Sequence, residues 1–420
     1  MPARLIDDRK KGTGVTMGRL PNRSDGGARK VCIAFAKGCP RSEMDTAWLF
    51  SYFEANGWEI TNRARDAEMV IVATCAFDGA NEQHSLRLLE LAHRKMNPGA
   101  RLIVTGCLAG IVPGHVRDRF GALVVAPTEI HRLDEVIGAQ VKLCDTPPVN
   151  DPADLIHSAK RCWTGIERCP TAKHWAETAW RKIDGFCRNP AGRRIFRIRV
   201  ARGCNEQCSY CAIRFAIGQF RSKPLEEVLA EFDLGRQRGY DLFELLADDI
   251  GPYGTDIGTD LLALLQLILR RPSSFQLILT DVHPQYLIQY RSGLIQLLAA
   301  HSEKIDVMRI PVQSGSDRVL RQMRRPYAAA DVAAAVNELH QAAPTIKLET
   351  HVLVGFPGET NEDFAETLEF LRRVHFDWIR VYHYTDRPNT PATQMPDKVP
   401  EKVIRRRAKL LNAEFRHVAV

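Results

Sequence analysis

Three cysteines stand close together in the stretch ARGCNEQCSYCAIRF, residues 201–215. Cys204, Cys208 and Cys211 are separated by three and then two residues, and no fourth metal-ligating partner lies close by. Structural zinc is usually closed by four ligands in paired spacings, so zinc fits this triad poorly. Iron–sulfur clusters are held by thiolates, and a 4Fe–4S cube with three protein ligands leaves one iron open to a reagent. We therefore favour a cluster that does chemistry.

A second set of three cysteines is spread along the amino-terminal part of the chain. Cys39, Cys75 and Cys107 each follow directly on an apolar run, in AKGCP, VATCAF and VTGCLAG. The carboxyl ends of the strands in a doubly wound sheet share one edge, so these thiols are expected to converge. The alternative is three buried, inert cysteines. Convergence is favoured because the three positions are equivalent and two of the thiols follow glycine.

Alternating apolar and helical stretches predict the elements that position these cysteines. Residues 31–143 have the rhythm of a small doubly wound parallel-sheet α/β domain. Six further strand candidates, each followed by a helix-like stretch, predict a partial (β/α)6 barrel over 193–400, with chemistry at the carboxyl ends of its strands. The remaining segments are predicted as a disordered basic tail (1–30), a linker or insertion (144–192) and a carboxy-terminal helix (401–420).

Composition narrows the class of protein. The 420 residues contain no apolar run of membrane-spanning length, and the amino terminus lacks the apolar core of a secretory signal. We therefore expect a cytoplasmic protein without a membrane partner. In that reducing compartment the eleven cysteines favour metal sites or free thiols over disulfides. Four of them have spacings unlike a compact metal motif and receive no ligand role: Cys144, Cys162, Cys169 and Cys187.

The net charge of +8 is a weak guide to partners. Residues 1–30 carry eight Lys or Arg against three Asp, so the tail supplies more than half of it. A second basic run, RNPAGRRIFRIRVAR at 188–202, leads into the cysteine triad. It is either a solvated face or a positive rim around a site for anions. The solvated face is favoured, because charge alone seldom identifies a partner.

The spacing of the triad, with Tyr210 just before its last cysteine, resembles the signature of radical S-adenosylmethionine enzymes. KGCPRSEMD, ATCAFDGA and TGCLAG are similar to the amino-terminal cluster domain of the methylthiotransferases. LLADDIGPYGTD, IPVQSGSDRVLRQMRRPY, VLVGFPGETNEDFAETL and DRPNTPATQM are similar to blocks of their barrel. The resemblance covers roughly residues 31–415. Its first domain and ADDIGPYGTD are closest in type to the branch that modifies a ribosomal-protein aspartate.

The resemblance implies S-adenosylmethionine and two 4Fe–4S clusters as cofactors, with a flavodoxin or ferredoxin type electron donor. The triad at 204–211 would hold the cluster whose open iron binds S-adenosylmethionine and cleaves it to a 5′-deoxyadenosyl radical. The dispersed triad would hold an auxiliary cluster that carries the sulfur to be inserted at a C–H bond. A second S-adenosylmethionine methylates that sulfur in the usual family reaction.

The same resemblance, together with side-chain chemistry, indicates residues around S-adenosylmethionine. Hydroxyl and amide groups suit ribose, a carboxylate suits the methionyl amine, and glycine permits close backbone approach. The alternative is ordinary loop chemistry for each motif. The expected cofactor-binding residues are Tyr210, Asp248, Asp249, Gln313, Ser314, Gly315, Ser316, Gly355 and Glu359.

Departures from the family pattern concern the substrate. Ala73 stands where the family has Asn, Arg214 lies in a changed segment, and His351 replaces an acidic residue. The resemblance also ends without the small β-barrel domain that recognises the macromolecular substrate. These departures predict a non-standard substrate, a small metabolite or a short peptide, with Arg214 and His351 lining its pocket. We do not expect tight nucleic-acid binding.

Two alternatives stay open. The first is methylthiolation of transfer RNA or a ribosomal protein. The second is a non-catalytic iron–sulfur carrier or sensor, against which the QSGS and VGFPGE blocks argue, since a carrier would not need them.

The two triads predict an iron stoichiometry. Anaerobically reconstituted protein should bind about eight irons, two cubes of four. Replacing Cys204, Cys208 and Cys211 together with alanine should halve the iron content, and so should replacing the dispersed triad. Full iron retention after the second replacement would contradict the auxiliary-cluster assignment.

Overall fold

A computed structural model describes residues 28–36, 39–152, 193–272 and 274–415. Most of the predicted tail (1–30) and of the predicted insertion (144–192) therefore lies outside the described residues, as do Cys162, Cys169 and Cys187.

The first domain is built on a five-stranded sheet. Its strands run in the order β2-β1-β3-β4-β5, and every neighbouring pair is parallel. This is the doubly wound order 2-1-3-4-5, so the predicted fold of this region is confirmed. The strands are β1 (Lys30–Phe35), β2 (Glu59–Ile60), β3 (Met69–Thr74), β4 (Arg101–Gly106) and β5 (Leu123–Val124).

Helices cover both faces of this sheet, which explains its continuous apolar strands. In β3, Val70 and Val72 belong to one hydrophobic cluster, and Met69 and Ile71 belong to another on the opposite face. The helices of this region are Pro40–Ala55, Gly79–Lys95, Cys107–Ile111, Pro113–Phe120 and Arg132–Ile137.

The second domain contains six parallel strands. A short antiparallel hairpin, β7 (Ala201–Arg202) with β8 (Arg221–Ser222), follows the first of them. The sheet order β6-β9-β10-β11-β12-β13 is the order of the chain, as expected for successive β/α units of an open barrel. The predicted partial barrel is confirmed. Its strands are β6 (Phe196–Arg199), β9 (Leu242–Leu246), β10 (Gln276–Leu279), β11 (Ile305–Arg309), β12 (Lys347–Val354) and β13 (Trp378–His383).

Local sequence signals explain where barrel helices begin. Thr360 and Asp363 form a capping box at the start of Asn361–Arg373, each side chain accepting from the other's backbone N–H. No helix among the described residues is both long and apolar enough to cross a bilayer. The helices of this region are Arg214–Ile217, Leu225–Gln237, Leu261–Leu269, Pro284–Gln289, Arg291–Ala300, Asp317–Gln322, Ala329–Ala342, Asn361–Arg373 and Glu401–Glu414.

A row of buried charges crosses the barrel sheet on the face opposite its helix-packed core. Arg197 on β6 donates to Glu244 on β9 at 3.0 Å, and Arg309 on β11 donates to the same carboxylate at 3.0 Å. Glu349 on β12 then accepts from Arg309 at 3.4 Å and from Arg380 on β13. The signs alternate along this row, which passes over β10, so each carboxylate lies between two guanidinium groups. Buried charges of this kind are tolerated only when they are paired.

Removing one member of this row should destabilise the fold. Burial alone would raise the pKa of Glu349, but Arg309, His351 and Arg380 lower it well below its ordinary value of 4.5. Glu349→Gln should therefore cost about 3 kcal/mol of unfolding free energy at neutral pH, because two arginines lose a buried partner. A group with a lowered folded pKa stabilises above its ordinary pKa, so the difference from wild type should shrink as the pH falls below 4.5.

Urea denaturation at several pH values measures this difference in unfolding free energy between wild type and Glu349→Gln. Glu369→Gln is the matched control, because that carboxylate is 54% exposed and its ion pair with Arg373, one helical turn away, is a surface pair. Equal stabilities for the two variants would contradict the role given to the buried row.

Candidate active site

The structure brings Cys39, Cys75 and Cys107 together at the carboxyl ends of β1, β3 and β4. Cys39 caps the helix Pro40–Ala55, Cys75 follows β3 directly, and Cys107 begins the helix Cys107–Ile111. Burial raises the pKa of all three thiols, and the pKa of Cys107 reaches about 12. The negative charge of Cys39 adds to the rise at both other thiols, so the three lie within electrostatic reach of one another.

These thiols suit a cluster better than a single ion. As thiolates they would be buried anions, which need a strong positive partner such as a bound metal. Cysteine sulfurs are the donors that iron–sulfur clusters use, and a 4Fe–4S cube held by three of them leaves one iron open. The donor set of the dispersed triad therefore fits such a cluster.

The second triad lies in the loop that follows β7. The loop begins at Gly203, whose φ of +82° and close approach to Gln219 O (2.1 Å from an added Cβ) exclude a side chain. Cys204 Sγ accepts from the backbone N–H of Glu206 at 3.4 Å, and Cys208 Sγ accepts from Arg325 Nη1 at 3.4 Å. N–H···S contacts of this kind are typical around the sulfurs of iron–sulfur clusters.

A cavity of about 540 Å³ lies between the two domains. The three dispersed cysteines line it, together with Ile213 and Gly218 from the segment just after the second triad. The volume is in the range of ligand pockets, about 300–1,000 Å³. It would admit one substrate group next to the dispersed triad.

Arg41 ties the two domains together beside this cavity. It stands two residues after Cys39 and donates to the backbone carbonyl of Ala247, at the end of β9. Its guanidinium also pairs with Asp248 at 3.2 Å and with Asp281, just after β10, at 3.3 Å. The loop of the first cysteine is thereby fixed to the carboxyl ends of two barrel strands.

Asp248 is within electrostatic reach of both triads. Its carboxylate raises the pKa of Cys39 and Cys107 in the first triad and of Cys204 and Cys211 in the second, although burial is the larger cause at each thiol. Asp248 therefore lies near thiols of both triads.

Comparisons with known proteins identify the family. The Radical SAM superfamily matches residues 198–371, and the Uncharacterized protein family UPF0004 matches residues 30–126. The ribosomal protein uS12 methylthiotransferase RimO of Citrifermentans bemidjiense is 31% identical over 395 residues, covering 89% of this chain and 79% of that relative. The chain belongs to the radical S-adenosylmethionine methylthiotransferase family.

Other relatives of this methylthiotransferase carry different names. The tRNA-2-methylthio-N(6)-dimethylallyladenosine synthase of Mannheimia succiniciproducens is 28% identical, covering 91% of this chain and 77% of its own. The solved radical S-adenosylmethionine methyltransferase TsrM of Kitasatospora setae has a TM-score of 0.58 at 15% identity, covering 87% of this chain and 75% of that chain. The second likeness shows the fold alone.

The family decides several predictions. The chain is an enzyme, which confirms that prediction over a non-catalytic carrier. Methylthiotransferases that combine the Radical SAM and UPF0004 regions use S-adenosylmethionine and two 4Fe–4S clusters, so the predicted cofactors are confirmed. The need for an electron donor is confirmed as well. The assignment of individual residues to those cofactors stays a prediction. The contacts of some predicted residues support a role in cofactor binding, and the contacts of others do not.

The two adjacent aspartates of this methylthiotransferase, Asp248 and Asp249, have different surroundings. Asp248 is engaged by Arg41. Asp249 accepts from the backbone N–H groups of Gly251 at 2.8 Å and His283 at 3.2 Å, while its Oδ2 has no partner among the described residues. Burial raises the pKa of Asp249 to about 7. Asp249 is thus the better candidate acceptor for the methionyl amine.

The QSGS motif is used mainly for packing. Ser314 Oγ contacts Thr367 Oγ1 at 3.2 Å, and Ser316 Oγ donates to Asp363 at 2.8 Å, so both buried hydroxyls face the helix Asn361–Arg373. A Cβ on Gly315 would lie 2.6 Å from Phe370 Cβ, so helix packing alone requires glycine. These contacts do not support ribose binding by the two serines.

Gln313 differs from its neighbours. Its backbone bridges to β12, exchanging hydrogen bonds with His351 and Leu353, and its φ of +74° is unusual for a residue with a side chain. Its side chain is partly exposed, so it remains the strongest candidate of the motif for a cofactor contact.

Gly355 and Glu359 hold the carboxy-terminal helix. Glu359 is buried and accepts from Gly355 N at 2.7 Å and from Arg407 at 2.6 Å. A Cβ on Gly355, where φ is +81°, would lie 2.3 Å from Ile404. The structure thus gives both residues a structural task.

Tyr210 packs beside a buried hydrophobic cluster that contains Met323 and Phe356.

The predicted substrate residues are not found in the interdomain cavity. His351 lies in the barrel interior, 3.5 Å from Glu349 and 3.9 Å from Asp281. Arg214 lies over the ring of Phe215 at 4.7 Å, and neither predicted residue lines the cavity. His351 does not line the cavity because its position on β12 directs its side chain into the buried charged row.

Sequence reasoning missed the polar residues that do line the cavity. They include Arg199, Arg202 and Trp48, and the Arg202 guanidinium lies over the Trp48 ring at 5.6 Å. The basic run was the available signal, but its spacing did not show which arginines reach the cavity.

The Arg41 bridge predicts a stability effect. Arg41→Met should cost about 3 kcal/mol of unfolding free energy, because Asp248 and Asp281 lose a largely buried partner. It should also weaken iron retention at the adjacent dispersed triad. Urea denaturation and iron analysis measure both. Arg63→Met is the control, since Arg63 is 61% exposed; if both variants behave like wild type, the bridge does not hold the domains.

Proposed function

We propose that this methylthiotransferase inserts sulfur into a C–H bond of a polypeptide side chain that enters the interdomain cavity. The observation that carries the proposal is the position of Asp248, which lines the cavity together with the dispersed triad and is also within electrostatic reach of Cys204 in the second triad. A reacting carbon in this region would be near both sets of ligands.

The residues would divide the work as follows. Cys204, Cys208 and Cys211 would ligate the cluster that binds S-adenosylmethionine, and the dispersed triad would ligate the auxiliary cluster. When bound, these groups supply the reducing electron, the hydrogen abstraction and the sulfur. Asp249 would accept a hydrogen bond from the methionyl amine through its unpartnered oxygen.

The surroundings of the cavity would orient the substrate and exclude water. Arg41 keeps the two domains at a fixed separation, and apolar residues such as Leu49 and Ile130 line part of the wall. Fixed geometry of this kind favours transfer over side reactions.

The basic run supports a polypeptide over an RNA substrate. RNA binding draws on several uncompensated cations that contact phosphates. Here each described arginine of 188–202 pairs with a carboxylate, and only Arg194 and Arg202 among them have strongly exposed side chains. The pairs are Arg193–Asp241, Arg194–Asp151, Arg197–Glu244, Arg199–Asp45 and Arg202–Asp45.

The relatives help to choose among substrates. Their names refer to ribosomal protein uS12 or to transfer RNA, which leans against a small metabolite without refuting it. A polypeptide agrees both with the short-peptide prediction and with the uS12 methylthiotransferases, while transfer RNA remains the second candidate.

Mass spectrometry after anaerobic turnover tests the proposal. With S-adenosylmethionine, a strong reductant and sulfide, a polypeptide such as a uS12-type ribosomal protein should gain sulfur or a methylthio group, while total transfer RNA should not. Cys211→Ala should abolish 5′-deoxyadenosine formation. Replacing Cys39, Cys75 and Cys107 together with alanine should leave that formation in place but end sulfur insertion.

Two results would decide against this reading. A methylthiolated nucleoside in transfer RNA, with the polypeptide unmodified, would make transfer RNA the substrate. Production of 5′-deoxyadenosine by Cys211→Ala would remove the division of labour between the triads.

A further inference from the structure

Arg325 places a buried positive charge against one sulfur of the second triad. The residue is 6% exposed, and its Nη1 donates to Cys208 Sγ at 3.4 Å. Cys208 is also the buried member of the triad, whereas Cys204 and Cys211 are partly exposed. The contact is therefore shielded from water. Electrostatic effects are stronger in such an interior than in water, because the local dielectric constant is lower.

Neutral groups hold this guanidinium in place. Nε donates to Tyr327 Oη at 2.8 Å, Nη2 donates to the carbonyl of Pro311, and Tyr327 Oη in turn donates to the carbonyl of Val312. All three nitrogens thus have an acceptor, and the side chain is fixed from both sides.

No carboxylate pairs with Arg325 among the described residues. The charge of Arg325 lowers the pKa of Asp249 against a larger rise from burial, yet no hydrogen bond or ion pair joins the two. Elsewhere in the barrel, buried arginines such as Arg197 and Arg380 do pair with a carboxylate. The Cys208 sulfur lies in direct contact with this guanidinium, and as a ligand of an iron–sulfur cluster it would carry the negative charge that a buried cation needs.

We propose that Arg325 raises the reduction potential of the iron–sulfur cluster that Cys208 ligates, through its positive charge and its N–H···S hydrogen bond. Reduction adds negative charge to a cluster, and hydrogen bonds and cations at its sulfurs stabilise the reduced form. Arg325 is thus a positioning and tuning residue. This inference rests on the proposed role of Cys208 as a ligand.

The test is a redox titration of the reconstituted full-length enzyme followed by electron paramagnetic resonance. The relevant signal is the one that changes on adding S-adenosylmethionine. At the wild-type midpoint, Arg325→Met should lower the ratio of reduced to oxidised cluster about tenfold, a shift of 59 mV for a one-electron couple. Arg325→Lys, which keeps the charge, should show a smaller decrease.

Two controls isolate the effect. The auxiliary cluster should keep its potential in every variant, and Arg324→Met, which changes the exposed neighbouring arginine, should leave both clusters unchanged. If Arg325→Met loses the cluster but Arg325→Lys keeps it with a lowered potential, the N–H···S hydrogen bond is shown to contribute to the potential.

The proposal is overturned by a wild-type potential in fully loaded Arg325→Met, or by equal iron loss in both Arg325 variants. Full iron content in Cys208→Ala would instead refute the ligand assignment, so failure of the proposed function is distinguishable from failure of this inference.

Discussion

The structure depends on one constraint, the contact of Arg41 with the carboxyl ends of β9 and β10. Parallel strands bring ligands to one edge of a sheet, but they do not specify how two sheets face each other. Arg41 contributes directly to that relation at the site, since it follows Cys39 by two residues and pairs with Asp248 and Asp281. The position of the cavity, and the reach of Asp248 to both triads, follow from it.

Much of the fold was predictable from the sequence because strand and helix periodicities were clear. VCIAFA and KLETHVLV form the predicted strands β1 and β12, and the dispersed cysteines meet at one edge because parallel topology requires it. The two-residue edge strand Glu59–Ile60 and the hairpin β7–β8 were missed, because such short elements have too few residues to show a period.

The finer features of the site were less accessible. Ser314, Ser316 and Glu359 have side chains that suit a cofactor, yet their partners are helices distant in sequence. A motif shows which hydrogen bonds a residue can make, but only tertiary packing decides which it makes. The ion pairs of the basic run were likewise not predictable. The alternation in FRIR indicated a strand, but the carboxylate that pairs with Arg197 lies on another strand, 47 residues away in sequence.

The two cysteine sets differ in how they are assembled. The second set lies within one short loop, so closing it around iron has a modest entropic cost. The dispersed set joins three strand ends, and its geometry exists only once β1, β3 and β4 have paired. On the proposed ligand assignment, maturation of this enzyme would be ordered by folding: the loop site needs only a partly structured chain to bind iron, whereas the auxiliary site needs its sheet to have formed.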